Sequence, residues 1–79
     1  MNTPSRRLPK AQRREQLLDV ALDLVREEGT DALTLARVAE RAGVSVGTLY
    51  QYFPNRESVA AALVLRAMER LLAEMRRAL

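Results

Sequence analysis

Seventy-nine residues make one domain at most, and a domain of that size buries only about 60% of the surface its unfolded chain exposes, so some partner or staple is expected to support it. Cysteine is absent, which removes disulfides and thiolate metal sites, and histidine is absent, which removes the usual general base and the commonest metal ligand. The ten acidic residues are scattered rather than paired, so an enzyme is not expected and neither a metal nor any other cofactor is implied.

The net charge of +3 is unevenly placed. Residues 1–14 carry Arg6, Arg7, Lys10, Arg13 and Arg14 with no acid, whereas the remaining 65 residues carry eight basic and ten acidic side chains. No run of about 18 apolar residues is present, and MNTPSRRLPK lacks the apolar stretch of a signal peptide. A cytoplasmic protein is expected.

In chain order, Pro4 and Pro9 keep the first nine residues out of a helix and predict a flexible basic arm over 1–9. From Lys10 onward Arg14, Leu17, Leu18, Ala21, Leu22, Leu24 and Val25 recur at spacings of three and four, the period of an amphipathic helix. The first helix is predicted over 10–28, stopped by Gly29, with Leu17, Ala21, Leu24 and Val25 on its buried face. Thr34 offers a cap for a short second helix over 35–42, with Val38 and Ala39 inward and Gly43 as its stop. Ser45 caps a third helix over 46–53, closed by Pro54. Asn55 caps a fourth that runs to the end without glycine or proline.

The fold class is all-α: a three-helix, homeodomain-like bundle over 10–54 containing a helix-turn-helix, plus a long fourth helix in 55–79. At 1.5 Å per residue that helix spans about 35 Å, beside a domain whose radius of gyration should be near 12 Å. Its second half carries Met68, Leu71, Leu72, Met75 and Leu79 on one side with nothing in the chain to cover them. A membrane-surface role for this side is disfavoured because Glu69 and Glu74 dilute its basic face.

Two helices crossing at a tight turn need a small residue at the crossing and a glycine at the turn, and Ala39 and Gly43 meet those demands. Leu49 is placed as the apolar plug of the second helix of the pair, Val44 fills the corner, and Phe53 belongs to the core. The outward face, Val46, Gly47, Thr48, Tyr50, Gln51 and Tyr52, carries no acid. Nothing on it repels a phosphate-lined groove. The hydroxyls of Ser45, Thr48, Tyr50 and Tyr52 can donate to phosphates, the helix N-terminus adds its own N–H groups, and Gln51 matches the edge of an adenine.

The string TLARVAERAGVSVGTLYQYFPNRESV, residues 34–59, resembles the N-terminal DNA-binding domain of the tetracycline-repressor (TetR) family of transcriptional regulators, and the similarity extends over roughly 10–65. By this resemblance Thr34 touches a phosphate and Arg37 stands with it at the start of the supporting helix. Arg37, Val46, Gly47 and Gln51 are then expected to face base edges. Ser45, Thr48, Tyr50 and Tyr52 are expected to hold the DNA backbone, joined by Arg56, where the family more often has lysine. Arg6, Arg7 and Lys10 form the arm that lies along phosphates or enters a minor groove.

The resemblance also implies double-stranded DNA with a palindromic operator as partner, a homodimer in the full-length protein, and repression by occluding a promoter. Family members have a second helical domain that binds a small molecule and dimerises, so helix four reads as the start of a connection to a domain absent from this chain. A small-molecule inducer is implied only where that domain exists. A protein-interaction module docking through helix four, with the helix-turn-helix as scaffold, is the competing reading, and an enzyme is a distant third.

Overall fold

The computed structural model describes residues 8–79, and the arm residues Arg6 and Arg7 lie outside them. The described residues form α1 (Lys10–Glu28), a single 3-10 turn (Thr30–Ala32), α2 (Leu35–Ala42), α3 (Val46–Tyr50) and α4 (Arg56–Ala78), with no strand among them. The all-α expectation holds.

Local chemistry sets most of these boundaries. Pro9 precedes α1 with φ −53° and ψ 150°, and its carbonyl accepts the Arg13 N–H at 2.9 Å, the first helical bond. Thr34 caps α2 by accepting the Arg37 N–H on Oγ1 at 3.1 Å. At the other end Gly43 is left-handed, φ 74° and ψ 28°, and the following Val44 N–H reaches back to the Ala39 carbonyl at 3.0 Å. That pair of features turns the chain sharply into α3 while satisfying carbonyls that the helix end would orphan. Asn55 and Ser58 exchange side-chain-to-backbone bonds in a capping box that starts α4.

The third helix is shorter than the sequence predicts. It ends at Tyr50, after which the Gln51 and Tyr52 N–H groups bond three residues back, to Thr48 at 3.1 Å and Leu49 at 2.9 Å. Pro54 disfavours the helical conformation for Phe53, so the ladder tightens and ends ahead of it, with the Phe53 N–H making a last four-residue bond to the Leu49 carbonyl at 2.9 Å.

The core is one cluster of Leu17, Leu18, Ala21, Leu24, Leu33, Val38, Ala39, Leu49, Phe53, Val59 and Ala62. Leu49 is completely buried and Phe53 almost so, as their predicted roles require. Ala39 is buried to 1% exposure, the close approach that a larger side chain would prevent. Val25 departs from expectation. It is only half-buried, and Leu18 takes its place in the core, because α1 packs against α2 on one side and α4 on another and so buries a wider arc than a two-helix contact would.

The far half of α4 leaves the bundle. Met68, Leu71, Leu72, Met75 and Leu79 are each more than half exposed, as are Val64 and Leu65 before them. The radius of gyration, 14.1 Å, exceeds the roughly 12 Å of a compact chain of this length for that reason. An apolar groove of about 280 Å³, lined by Leu22, Val25, Leu33, Leu63 and Ala67, runs between α1 and α4 where this exposed face begins.

Candidate DNA-binding surface

Gly43 and Ser45 set up the surface. Gly43 turns the chain, and Ser45 then accepts the Thr48 N–H on Oγ at 3.0 Å to start α3. Buried Leu49 pins α3 to the core and so fixes which side of it faces out. That side presents Ser45, Val46, Gly47, Tyr50 and Gln51 exposed, with Thr48 and Tyr52 half-buried at its margins.

The hydroxyls are already oriented. Ser45 Oγ donates to Thr48 Oγ1 at 3.0 Å, so the Thr48 hydroxyl acts there as acceptor and keeps its own hydrogen to donate. Thr34 is likewise exposed and uses its oxygen as acceptor for the α2 cap, again leaving its hydrogen as donor. Both threonines suit phosphate oxygens, which accept only. Gly47 carries an ordinary helical backbone, and a Cβ built on it meets nothing nearer than Ser45 Oγ at 3.8 Å. The fold does not require glycine here.

The remaining predicted residues are tied into the protein in ways their spacing does not reveal. Arg37 Nη2 lies 2.9 Å from Glu28 at the end of α1, with Glu40 3.8 Å away across one turn. Arg41 beside it pairs with Glu27, so two arginines lock α2 to the end of α1. Arg56 turns inward: Nε donates to the Leu33 carbonyl at 2.6 Å and Nη2 to the Thr30 carbonyl at 2.9 Å. Lys10 places Nζ 5.8 Å from the centre of the Tyr52 ring, which brings the first turn of α1 beside the end of the α3 region.

Two further cations are engaged within the fold, Arg14 of the basic N-terminal stretch and Arg66, which the sequence reading does not single out. The Arg14 guanidinium stands 5.1 Å from the Phe53 ring centre. Arg66 is buried between α4 and α1, with Nη1 3.0 Å from Glu15 and 2.8 Å from Asp19, while Nη2 has no partner among the described residues. Burial disfavours the charge of Arg66, but the hydrogen bonds that it donates to Glu15 and Asp19 outweigh it and raise its pKa above the ordinary arginine value. A signal for this residue does exist: Val59, Ala62 and Arg66 share the inward register of α4, and Glu15 and Asp19 are one turn apart on α1. Among the described residues no group of histidine, cysteine, aspartate or glutamate could hold a metal ion, and no helix is long and apolar enough to cross a membrane.

The model of the tetR family of bacterial regulatory proteins matches residues 17–63, more than half of the chain. The transcriptional repressor KstR of Rhodococcus jostii is 42% identical over 60 residues, 76% of this chain and 28% of its own. The transcriptional activator FasR of Mycolicibacterium smegmatis is 36% identical over 78 residues, 99% of this chain and 36% of its own. The nucleoid occlusion factor SlmA of Haemophilus ducreyi is 36% identical over 75 residues, 90% of this chain and 37% of its own. A solved structure of the fatty acid degradation regulator FadR from Bacillus halodurans superposes with a TM-score of 0.75 at 32% identity, covering 92% of this chain and 37% of that one. The chain thus spans roughly a third of the length of the relatives it matches.

Proposed function

The chain belongs to the tetR family of bacterial regulatory proteins, and from that premise we propose that it is a sequence-specific DNA-binding unit that represses transcription by occluding a promoter. The observation that carries the proposal is the outer face of α3: exposed, free of carboxylates from Val46 to Tyr52, and edged by the hydroxyls of Thr34, Ser45 and Thr48. In this reading Val46, Gly47 and Gln51 meet base edges in a major groove, and Thr34, Thr48, Tyr50 and Tyr52 hold phosphates, joined by Ser45 once its hydroxyl hydrogen turns from Thr48 to the phosphate. Arg37 exchanges its Glu28 partner for the duplex on binding. Lys10 and the arm residues Arg6 and Arg7 follow the backbone beyond the groove.

Repression rather than activation is favoured by the likeness to KstR; in this reading the protein acts in the cytoplasm, and two copies sit on a palindrome, each with its α3 in a major groove about one helical turn of DNA from the other. A small-molecule signal enters this reading only where a further domain accompanies the chain.

Titration of a fluorescent duplex with the chain, dimerised by fusion and measured from 50 to 200 mM salt, tests the proposal. The logarithm of affinity is expected to fall with the logarithm of salt at a slope of about −0.9 for each phosphate neutralised. No detectable binding at about 50 mM would refute it. A glycine pair adds an independent check. Gly43→Ala is expected to lower stability by about 1 kcal/mol, because the left-handed backbone strains any side chain. Gly47→Ala should raise stability by about 0.5 kcal/mol yet weaken DNA binding about tenfold by filling the space left for the groove. Thermal unfolding and the same titration read both, and undiminished binding by Gly47→Ala contradicts the assigned contact.

A further inference from the structure

Arg56 stands at the first residue of α4 and reaches 23 and 26 positions back along the chain. One edge of its guanidinium, formed by Nε and Nη2, spans the carbonyls of Leu33 and Thr30 at 2.6 and 2.9 Å. The Thr30 carbonyl also closes the 3-10 turn by accepting the Leu33 N–H at 3.1 Å. Leu33 is buried to 4% exposure by its side chain, so its peptide is held from inside by the core and from outside by Arg56. The next residue is Thr34, the cap of α2 and an exposed hydroxyl donor.

We propose that Arg56 is a positioning residue for DNA binding, clamping the Thr30 and Leu33 carbonyls so that the first turn of α4 fixes where Thr34 presents its hydroxyl. The inference rests on the reading of the helix-turn-helix as the DNA-binding surface. A guanidinium has five N–H donors, and the clamp uses two, so Nη1 and the second hydrogen of Nη2 lie outside it and remain the side on which a phosphate can add. The same planar group then joins three things: α4, the α1–α2 connection and the nucleic acid backbone. Lysine keeps the charge but concentrates its donors on one nitrogen, which cannot occupy the places of both Nε and Nη2. Arginine at this position is thus a change of job and not only of reach.

The test compares the full chain with Arg56→Lys, Thr34→Ala and the double variant, in the duplex titration across salt, at a temperature where circular dichroism shows each to be folded. Arg56→Lys is expected to weaken binding about tenfold, as one misplaced charge-assisted contact does, while the salt slope changes by less than one contact because the charge is kept. Thr34→Ala should weaken it similarly, and the double variant should be within about twofold of the weaker single one, since both remove the same contact. Wild-type affinity in Arg56→Lys would overturn the proposal in favour of a plain phosphate ligand. Losses that multiply to about a hundredfold would overturn it in favour of two independent contacts. An Arg56→Lys defect that disappears once unfolded molecules are accounted for would make the clamp a stability feature alone. Failure of the wild-type chain to bind any duplex would instead bring down the DNA-binding reading, and this inference with it.

Discussion

Leu49→Ala is expected to lower the thermal unfolding midpoint by about 12–24 °C. The side chain has no exposed surface and is the buried residue by which α3 is held in the core. Truncating such a leucine costs about 3 kcal/mol, from the lost transfer of its methyl groups and the cavity left behind. In a chain of this size each kcal/mol moves the midpoint by roughly 4–8 °C. Total stability for a domain this small is of the order of 4–12 kcal/mol, so the loss is a large share of the whole. Val46→Ala, three residues earlier on the exposed side, serves as the control and should change stability by no more than about 0.5 kcal/mol. Circular dichroism melts of the two variants decide the matter, and comparable shifts would show that α3 is not anchored through Leu49.

The second large effect concerns the ion cluster under α4, where the two sides of the pairing are unequal. Arg66 is buried, whereas the side chains of Glu15 and Asp19 are more than half exposed. Replacing both acids, Glu15→Gln with Asp19→Asn, leaves a buried guanidinium without a counter-charge and should cost about 2–3 kcal/mol. Replacing the arginine, Arg66→Met, leaves two carboxylates that water can reach and fills much of the space with an adaptable apolar chain. That change should cost about 1 kcal/mol or less. Denaturant unfolding of the three proteins measures the order directly. A larger loss for Arg66→Met than for the acid pair would mean that packing of the arginine stem, rather than its charge, holds α4 to α1.

Where sequence foretold structure, the information was local. Pro9 and Gly29 bracket α1, Thr34 and Gly43 bracket α2, and each acts on its own backbone or on residues one turn away. The end of α3 was misplaced because Phe53 keeps the apolar spacing of a helix although Pro54 denies it the conformation. Arg56 was legible as a cation but not as a clamp, since no periodicity connects position 56 to carbonyls at 30 and 33. Arg66 was hidden in a different way: charge argued for solvent while register argued for the core, and its two acids on α1 settle the conflict in favour of register. The hydroxyl and amide face of α3 is legible from its residues and the roles of Thr34, Arg37 and Arg56 only from resemblance, and what the fold adds is which of their donors are already spent within the protein.

If α3 is the reading helix of a dimer, as proposed, its shortness limits how much sequence the protein can distinguish. Five residues rise about 7.5 Å, against 3.4 Å per base-pair step, so α3 would lie along about two steps and thus face about three successive pairs. Three fully specified pairs recur by chance about once in 64 positions, and two copies on a palindrome, once in about 4,000. A genome offers millions of positions, so a single target cannot be singled out by these contacts. The remaining discrimination has to come from the spacing between half-sites and from the bending and groove width of base pairs that no side chain touches.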